Sequence, residues 1–169
     1  KNAGTVILGK TNTHQFAYGI TGENPDYGDM HNPWNPQRIT GGSSGGSVSS
    51  VASGQSTLTM GSDTGGSIRV PSSLCGLVGL KPTYGRVSEV GAAPLAWSVA
   101  HLGPIGSHAR DVAAVYQIIA GPDASDPNSH SQPQPDEPNP APLKLAGLRL
   151  GVYRQWFEDA DDDVVRSHV

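Results

Sequence analysis

Apolar positions in this chain fall into short blocks separated by glycine, proline and asparagine. Thr5-Val6-Ile7-Leu8-Gly9 is a β-branched run closed by glycine and predicts a buried strand. Residues 22–40 follow with Asn24-Pro25, Asn32-Pro33 and Asn35-Pro36, turn chemistry that predicts a loop-rich stretch. Small residues with Val48 and Val51 three apart predict a tightly packed short helix over Ser47–Gly54. Thr57-Leu58-Thr59-Met60 alternates as a strand does, and residues 61–67 read as a loop. A helix is predicted over Ile68–Cys75, with Pro71 in its first turn, where a missing N–H is tolerated. Leu77–Leu80 is a further strand candidate. Val112, Val115, Tyr116 and Ile119 fall at i, i+3, i+4 and i+7, the signature of an amphipathic helix over Ala109–Ala120. Ser107 is placed to cap its start and Gly121-Pro122 to stop it. Residues 122–146 are a proline-rich surface loop, and Leu148–Tyr153 reads as a strand. Alternating strands and helices predict an α/β layered architecture.

Composition changes this picture at one point. The segment from Gly41 to Ser73 holds eight glycines and 11 serines, a density that elsewhere marks a flexible linker. Its apolar anchors at regular spacing argue instead for close backbone approaches inside a folded domain. Net charge is −4, and five of the 15 acidic residues lie between Glu158 and Asp163, a solvated helix start. With no basic stripe, a nucleic-acid surface is not expected. No apolar run reaches the ~18 residues of a membrane span. Cys75, alone, excludes an internal disulfide framework and reads as a buried thiol. The six histidines show no metal-ligand spacing. Both ends of the chain read as cut, so residues 1–169 are expected to be an internal piece of something longer.

Several chemistries compete for the Gly/Ser region. A phosphate-binding P-loop needs lysine after glycine, but Ser47 follows Gly46. No G-x-G-x-x-G is present. Gly41-Gly42-Ser43-Ser44-Gly45 matches the nucleophile elbow, with His101, His108 and Asp111 as triad partners, but Asn35–Thr40 does not read as the strand an elbow requires. Asp63-Thr64-Gly65 resembles an aspartic protease tripeptide without its second carboxylate. A fourth reading joins two serine loops. Thr64, Gly65 and Gly66 can turn successive N–H groups towards one point beside Ser67, a geometry that stabilises a developing oxyanion. Ser43 and Ser44, among glycines 41, 42, 45 and 46, can approach Ser67 and relay its proton. Asp63 and Arg69 read as a loop-bracing ion pair, and Trp34 and Trp97 as core.

The strings that carry this fourth reading resemble the amidase signature hydrolases. They are Leu8–Asn12, Asn32-Pro33-Trp34-Asn35-Pro36, Gly41–Ser47, Gly61–Pro71, Cys75-Gly76, Gly79–Ser88 and Gly103-Pro104 with the helix after it. The resemblance covers residues 4–121 strongly and 147–153 weakly. It implies a three-layer α/β/α sandwich with a mixed sheet, of which 1–169 is a partial domain. It implies a Ser–cis-Ser–Lys triad: Ser67 the nucleophile, Ser43 the relay, Ser44 its support, and the N–H groups of Thr64, Gly65, Gly66 and Ser67 the oxyanion hole. The lysine of that triad lies upstream of the first matched strand; Lys1 and Lys10 do not correspond to it, and the piece alone is then inactive. Ala100 stands where many relatives carry Asp. No cofactor or metal is implied. A small-molecule amide is the expected partner, in the cytoplasm, with no membrane, no direct nucleic-acid contact, and a homo-oligomer compatible. The alternatives are the glutaminase subunit of a tRNA-dependent amidotransferase, a Ser–His–Asp α/β-hydrolase, and a non-catalytic scaffold that kept the fold.

Overall fold

A computed structural model describes residues 3–135 and 146–151. The chain divides into two compact units, Lys1–Pro138 and Asn139–Val169. In the second, residues 148–151 form no strand, and the rest of the expected Leu148–Tyr153 strand and the acidic run 158–163 lie outside the described residues. All the described helices and strands belong to the first unit.

Its framework is a three-stranded antiparallel sheet in the order β3–β5–β4, with β3 Leu58–Asp63, β4 Val78–Gly79 and β5 His101–Gly106. β5 pairs along its whole length with β3, from Leu58 opposite Gly106 to Asp63 opposite His101. β1 (His31–Asn32) and β2 (Asn35–Ile39) form a separate two-stranded hairpin inside the stretch expected to be loop. Three α-helices, α1 Gly45–Ala52, α2 Arg69–Leu74 and α3 Ala109–Ile119, and a 3₁₀ turn at Gln15–Ala17 complete the described elements. A Cβ on Gly61 or Gly103 would strike Ile68, just ahead of α2, whereas one on Gly106 would meet Asp111 and Val112 of α3. Alternate residues of a strand face opposite sides. Thus α1 and α2 cover one face and α3 the other, giving α/β/α layers.

The α1 side has a small apolar centre. Val48, Ile68, Cys75 and Ile105 form the buried cluster, flanked by Ala52 and Leu77. Serine and threonine side chains staple α1 to β3: Ser47 Oγ donates to Met60 O (2.9 Å), and Thr59 Oγ1 donates to Ser47 O (3.2 Å). The serine density is therefore a helix–strand seam. Gly46 is fixed by contact, since a Cβ there would lie 2.4 Å from Asn12 O.

Three further expectations need correction, and one strand is not foreseen. Val6, Ile7 and Leu8 are exposed and unpaired, because a β-branched run becomes a strand only where a ladder partner exists, and none occurs among the described residues. Strand β5 escapes a sequence reading because Gly103 and Pro104 sit at its centre. Pro104 is accommodated because its carbonyl, which accepts from Leu80 N–H (3.1 Å), faces the short β4 side; the missing N–H falls on that side too and leaves the β3 ladder intact. The cap of α3 is His108, with no side-chain capping bond, in place of Ser107. Trp34 and Trp97 are each 72% exposed, not core; the Trp34 indole N–H donates to Cys75 O (2.9 Å).

Candidate active site

Strand β2 runs through Thr40 into Gly41–Ser44 and then α1. Gly41 has φ +78°, and a Cβ there would lie 2.9 Å from Pro71 Cα, so this turn admits only glycine. The Gly42–Ser43 peptide bond is cis. Ser43 is 1% exposed, its carbonyl accepts from His14 N–H (2.9 Å), and its Oγ has no hydrogen-bond partner among the described residues. Ser44 caps α1 by position but uses its Oγ elsewhere, donating to Ser62 O and accepting from Ser62 N–H, both at 3.2 Å. Its N–H donates to Ser67 O (3.1 Å). The two serine loops predicted to meet are thus joined, Ser44 holding both the end of β3 and the backbone of Ser67.

The second loop hangs on Asp63, which is fully buried. Its Oδ1 accepts from Gly66 N–H (2.7 Å) and Arg69 Nη2 (2.9 Å); its Oδ2 accepts from Ile68 N–H (3.1 Å), Arg69 N–H (3.3 Å) and Arg69 Nε (2.9 Å). Burial alone would raise its pKa, but the Arg69 guanidinium and the backbone donors outweigh this and hold the carboxyl below its ordinary value. The loop-bracing pair expected from the sequence is present. Of the four N–H groups expected as donors, that of Gly66 is engaged by Asp63. The N–H groups of Thr64, Gly65 and Ser67 carry no hydrogen bond among the described residues. Gly66 instead supplies the turn, at φ +127°.

Ser67 keeps 8% exposure and opens on a cleft of about 290 Å³ lined by Tyr18, Ile20, Thr64, Gly65, Leu95 and Ala96. A second cleft of about 230 Å³ shares Thr64 and Leu95 and extends to Glu89, His101 and Asp126. Neither described lysine, Lys10 or Lys81, bonds to Ser43 or Ser67.

The nucleophile-elbow reading meets a different obstacle from the expected one. A strand, β2, does precede Ser43, but the Ser43 hydroxyl is buried. His101 is committed to Val87 N–H (3.1 Å) and Glu89 Oε1 (3.2 Å), and His108 and Asp111 lie on the exposed start of α3. No group of three or more metal-ligating side chains occurs among the described residues, and no helix there is long and apolar enough to cross a membrane. The His101–Glu89–Asp126 network has no counterpart in the sequence reading. Its residues are 12 and 37 positions apart, and no local spacing announces it.

The paired glycine–serine loops, the Asp63 clamp and the unengaged N–H groups thus lie together around Ser67. The amidase family profile matches residues 1–168, and the chain belongs to that family. It is 49% identical to the 1-carboxybiuret hydrolase subunit AtzE of Pseudomonas sp. (strain ADP) over 100% of its length. It is 46% identical, also over 100% of its length, to the A-subunit of glutamyl-tRNA(Gln) amidotransferase from Roseiflexus sp. (strain RS-1). The chain spans 37% and 35% of those two relatives. Among solved structures, the glutamyl-tRNA(Gln) amidotransferase A-subunit of Thermotoga maritima superposes with TM-score 0.76 at 45% identity, over 78% of this chain and 29% of that one. Peptide amidase from Stenotrophomonas maltophilia gives 0.75 at 38% identity, over 80% and 29%. The fold is therefore that of the amidase signature enzymes.

Proposed function

We propose that this chain is the nucleophile-bearing part of an enzyme that hydrolyses the C–N bond of a small-molecule amide in the cytoplasm. Ser67 Oγ attacks the carbonyl carbon, and the carbonyl electrons move onto its oxygen, opposite the N–H groups of Thr64, Gly65 and Ser67. Preorganised donors of this kind are worth about 10²–10³ in rate each. The Ser67 proton passes to Ser43 Oγ and on to a lysine supplied from outside residues 1–169; the C–N bond then breaks as the leaving nitrogen takes a proton. Water releases the acyl group from Ser67 by the reverse relay. Ser44 fixes the distance between the two loops.

The observation that carries this reading is the Asp63 clamp. It takes up Gly66, Ile68 and Arg69 N–H, which sets the loop, and leaves the donors on either side of Gly66 unengaged at the mouth of the Ser67 cleft. The buried, unpartnered Ser43 hydroxyl suits a relay that needs a further base. Residues 1–169 alone are then inactive.

A second reading keeps the same chemistry with glutamine as the amide and partner subunits that consume the ammonia. The 46% identity to the Roseiflexus amidotransferase protein favours it. The test is ammonia release by the full-length protein carrying this segment, from a panel of primary amides that includes glutamine. Ser67→Ala is expected to abolish release, and Ser43→Ala to lower it at least a hundredfold. Full activity of Ser67→Ala excludes both readings.

A further inference from the structure

His101 sits at the last position of the β3–β5 ladder, directly opposite Asp63, and is 1% exposed. Its Nε2 accepts from Val87 N–H (3.1 Å), so that nitrogen carries no proton, and Nδ1–H donates to Glu89 Oε1 (3.2 Å). The ring thereby grips both ends of the Val87–Glu89 segment, whose Val87 also bridges to Ala120. Glu89 N–H is held in turn by Asp126 Oδ2 (2.8 Å), and Gly121 N–H donates to Arg86 O (2.9 Å). From this anchored segment the chain runs on to Leu95 and Ala96, which wall the Ser67 cleft. On its other side His101 adjoins the strand that delivers Thr64 and Gly65. One imidazole thus joins the cleft wall to the oxyanion loop.

We propose that His101 is a positioning residue for Ser67, its neutral Nδ1–H form holding the cleft wall against the oxyanion loop so that protonation of the ring disengages Val87 and slows attack by Ser67. This rests on the reading of Ser67 as the nucleophile. A protonated Nε2 would present a donor to the Val87 donor, and a buried donor facing a donor has no accommodating geometry. The charged and titratable groups around the ring are Glu89 on the gripped segment, Lys81 and Tyr84 ahead of it, Asp126 beyond α3, and Asp63 across the ladder. Burial, helped by Lys81, depresses the imidazole below its ordinary 6.5; Glu89 and Asp126 act against this without reversing it. The ring is therefore neutral at neutral pH, and its grip is lost as pH falls below 6.5.

The test uses the full-length protein and a fluorophosphonate, with the rate of Ser67 labelling followed from about pH 8 down to about pH 4.5, a range that spans the ordinary imidazole pKa. Wild-type labelling is expected to fall along an acidic limb below pH 6.5. In His101→Gln, which can accept and donate in the same places but does not titrate, the wild-type limb is expected to give way to the one set by the relay base alone, at a different pH. Glu89→Gln removes the charge that favours the imidazolium, so it shifts the limb to lower pH. His101→Leu is expected to lower the maximal labelling rate at the alkaline end at least tenfold with the half-saturating reagent concentration within about twofold, and His101→Gln to restore most of that loss. Should His101→Leu fail to fold, the Gln variants carry the test alone. A limb at the same pH in His101→Gln as in wild type, or a wild type without one, overturns the proposal. Label that never reaches Ser67 overturns the nucleophile reading instead, so the two failures are distinct.

Discussion

Removing the Asp63 carboxylate should unfasten the loop that carries Ser67. Five hydrogen bonds converge on it, three from backbone N–H groups and two from the Arg69 guanidinium. Bonds to a charged group contribute about 1.5–3 kcal/mol each, but five that share one acceptor do not sum. The Arg69 side chain is 53% exposed, so its share is screened and contributes about 1 kcal/mol or less. The backbone donors dominate. Asp63→Ala strips the acceptor from all three and should cost about 3–5 kcal/mol. Asp63→Asn keeps one carbonyl oxygen but turns an amide N–H₂ towards other donors, and should cost about 2–3 kcal/mol. Arg69→Ala should cost about 1 kcal/mol or less, because the carboxylate keeps its backbone partners. Urea unfolding followed by tryptophan fluorescence measures all three. Asp63→Ala within about 1 kcal/mol of wild type, or Arg69→Ala costing as much as Asp63→Ala, would refute this ordering.

The same carboxyl sets an acid limit. Its pKa lies below the ordinary 3.8, so its stabilisation is complete above pH 3.8 and fades as pH falls below it; Asp63→Asn should flatten that part of the stability profile in an acid titration. Gly103→Ala would put a Cβ 1.9 Å from Leu80 O and should cost more than the ~1–3 kcal/mol of ordinary overpacking, read from thermal melting. Ile105→Val should cost about 0.5–1.5 kcal/mol and Ile105→Ala about 2–5 kcal/mol, since Ile105 is fully buried against Val48 and Ile68; equal midpoints for the two in urea would contradict this packing.

Local rules made part of the fold legible in the sequence. Helix α3 is readable because four apolar side chains repeat at helical spacing, and the Ser67 loop because Asp, two glycines and Ser stand in a run that only a tight turn accommodates. Features that depend on distant partners escape such rules. The Val6–Leu8 run looks like a strand but finds no ladder among the described residues, whereas the Gly103-Pro104 dipeptide looks unlike one and sits in the middle of β5. Trp34 and Trp97 look like core residues by size alone. The engagement of Gly66 N–H is invisible in the sequence because glycine licenses several backbone directions, and only the folded position of Asp63 selects one. His101 gives no signal either, since its partners Val87, Glu89 and Asp126 come together only through the β5–loop–α3 arrangement.

The proposed chemistry turns on Ser67 as the nucleophile. The most direct measurement treats the full-length protein with a fluorophosphonate and maps the label by peptide mass. Label is expected on Ser67 and absent in Ser67→Ala. Label on Ser43 with Ser67 unmodified, or no label on a folded protein, would contradict it.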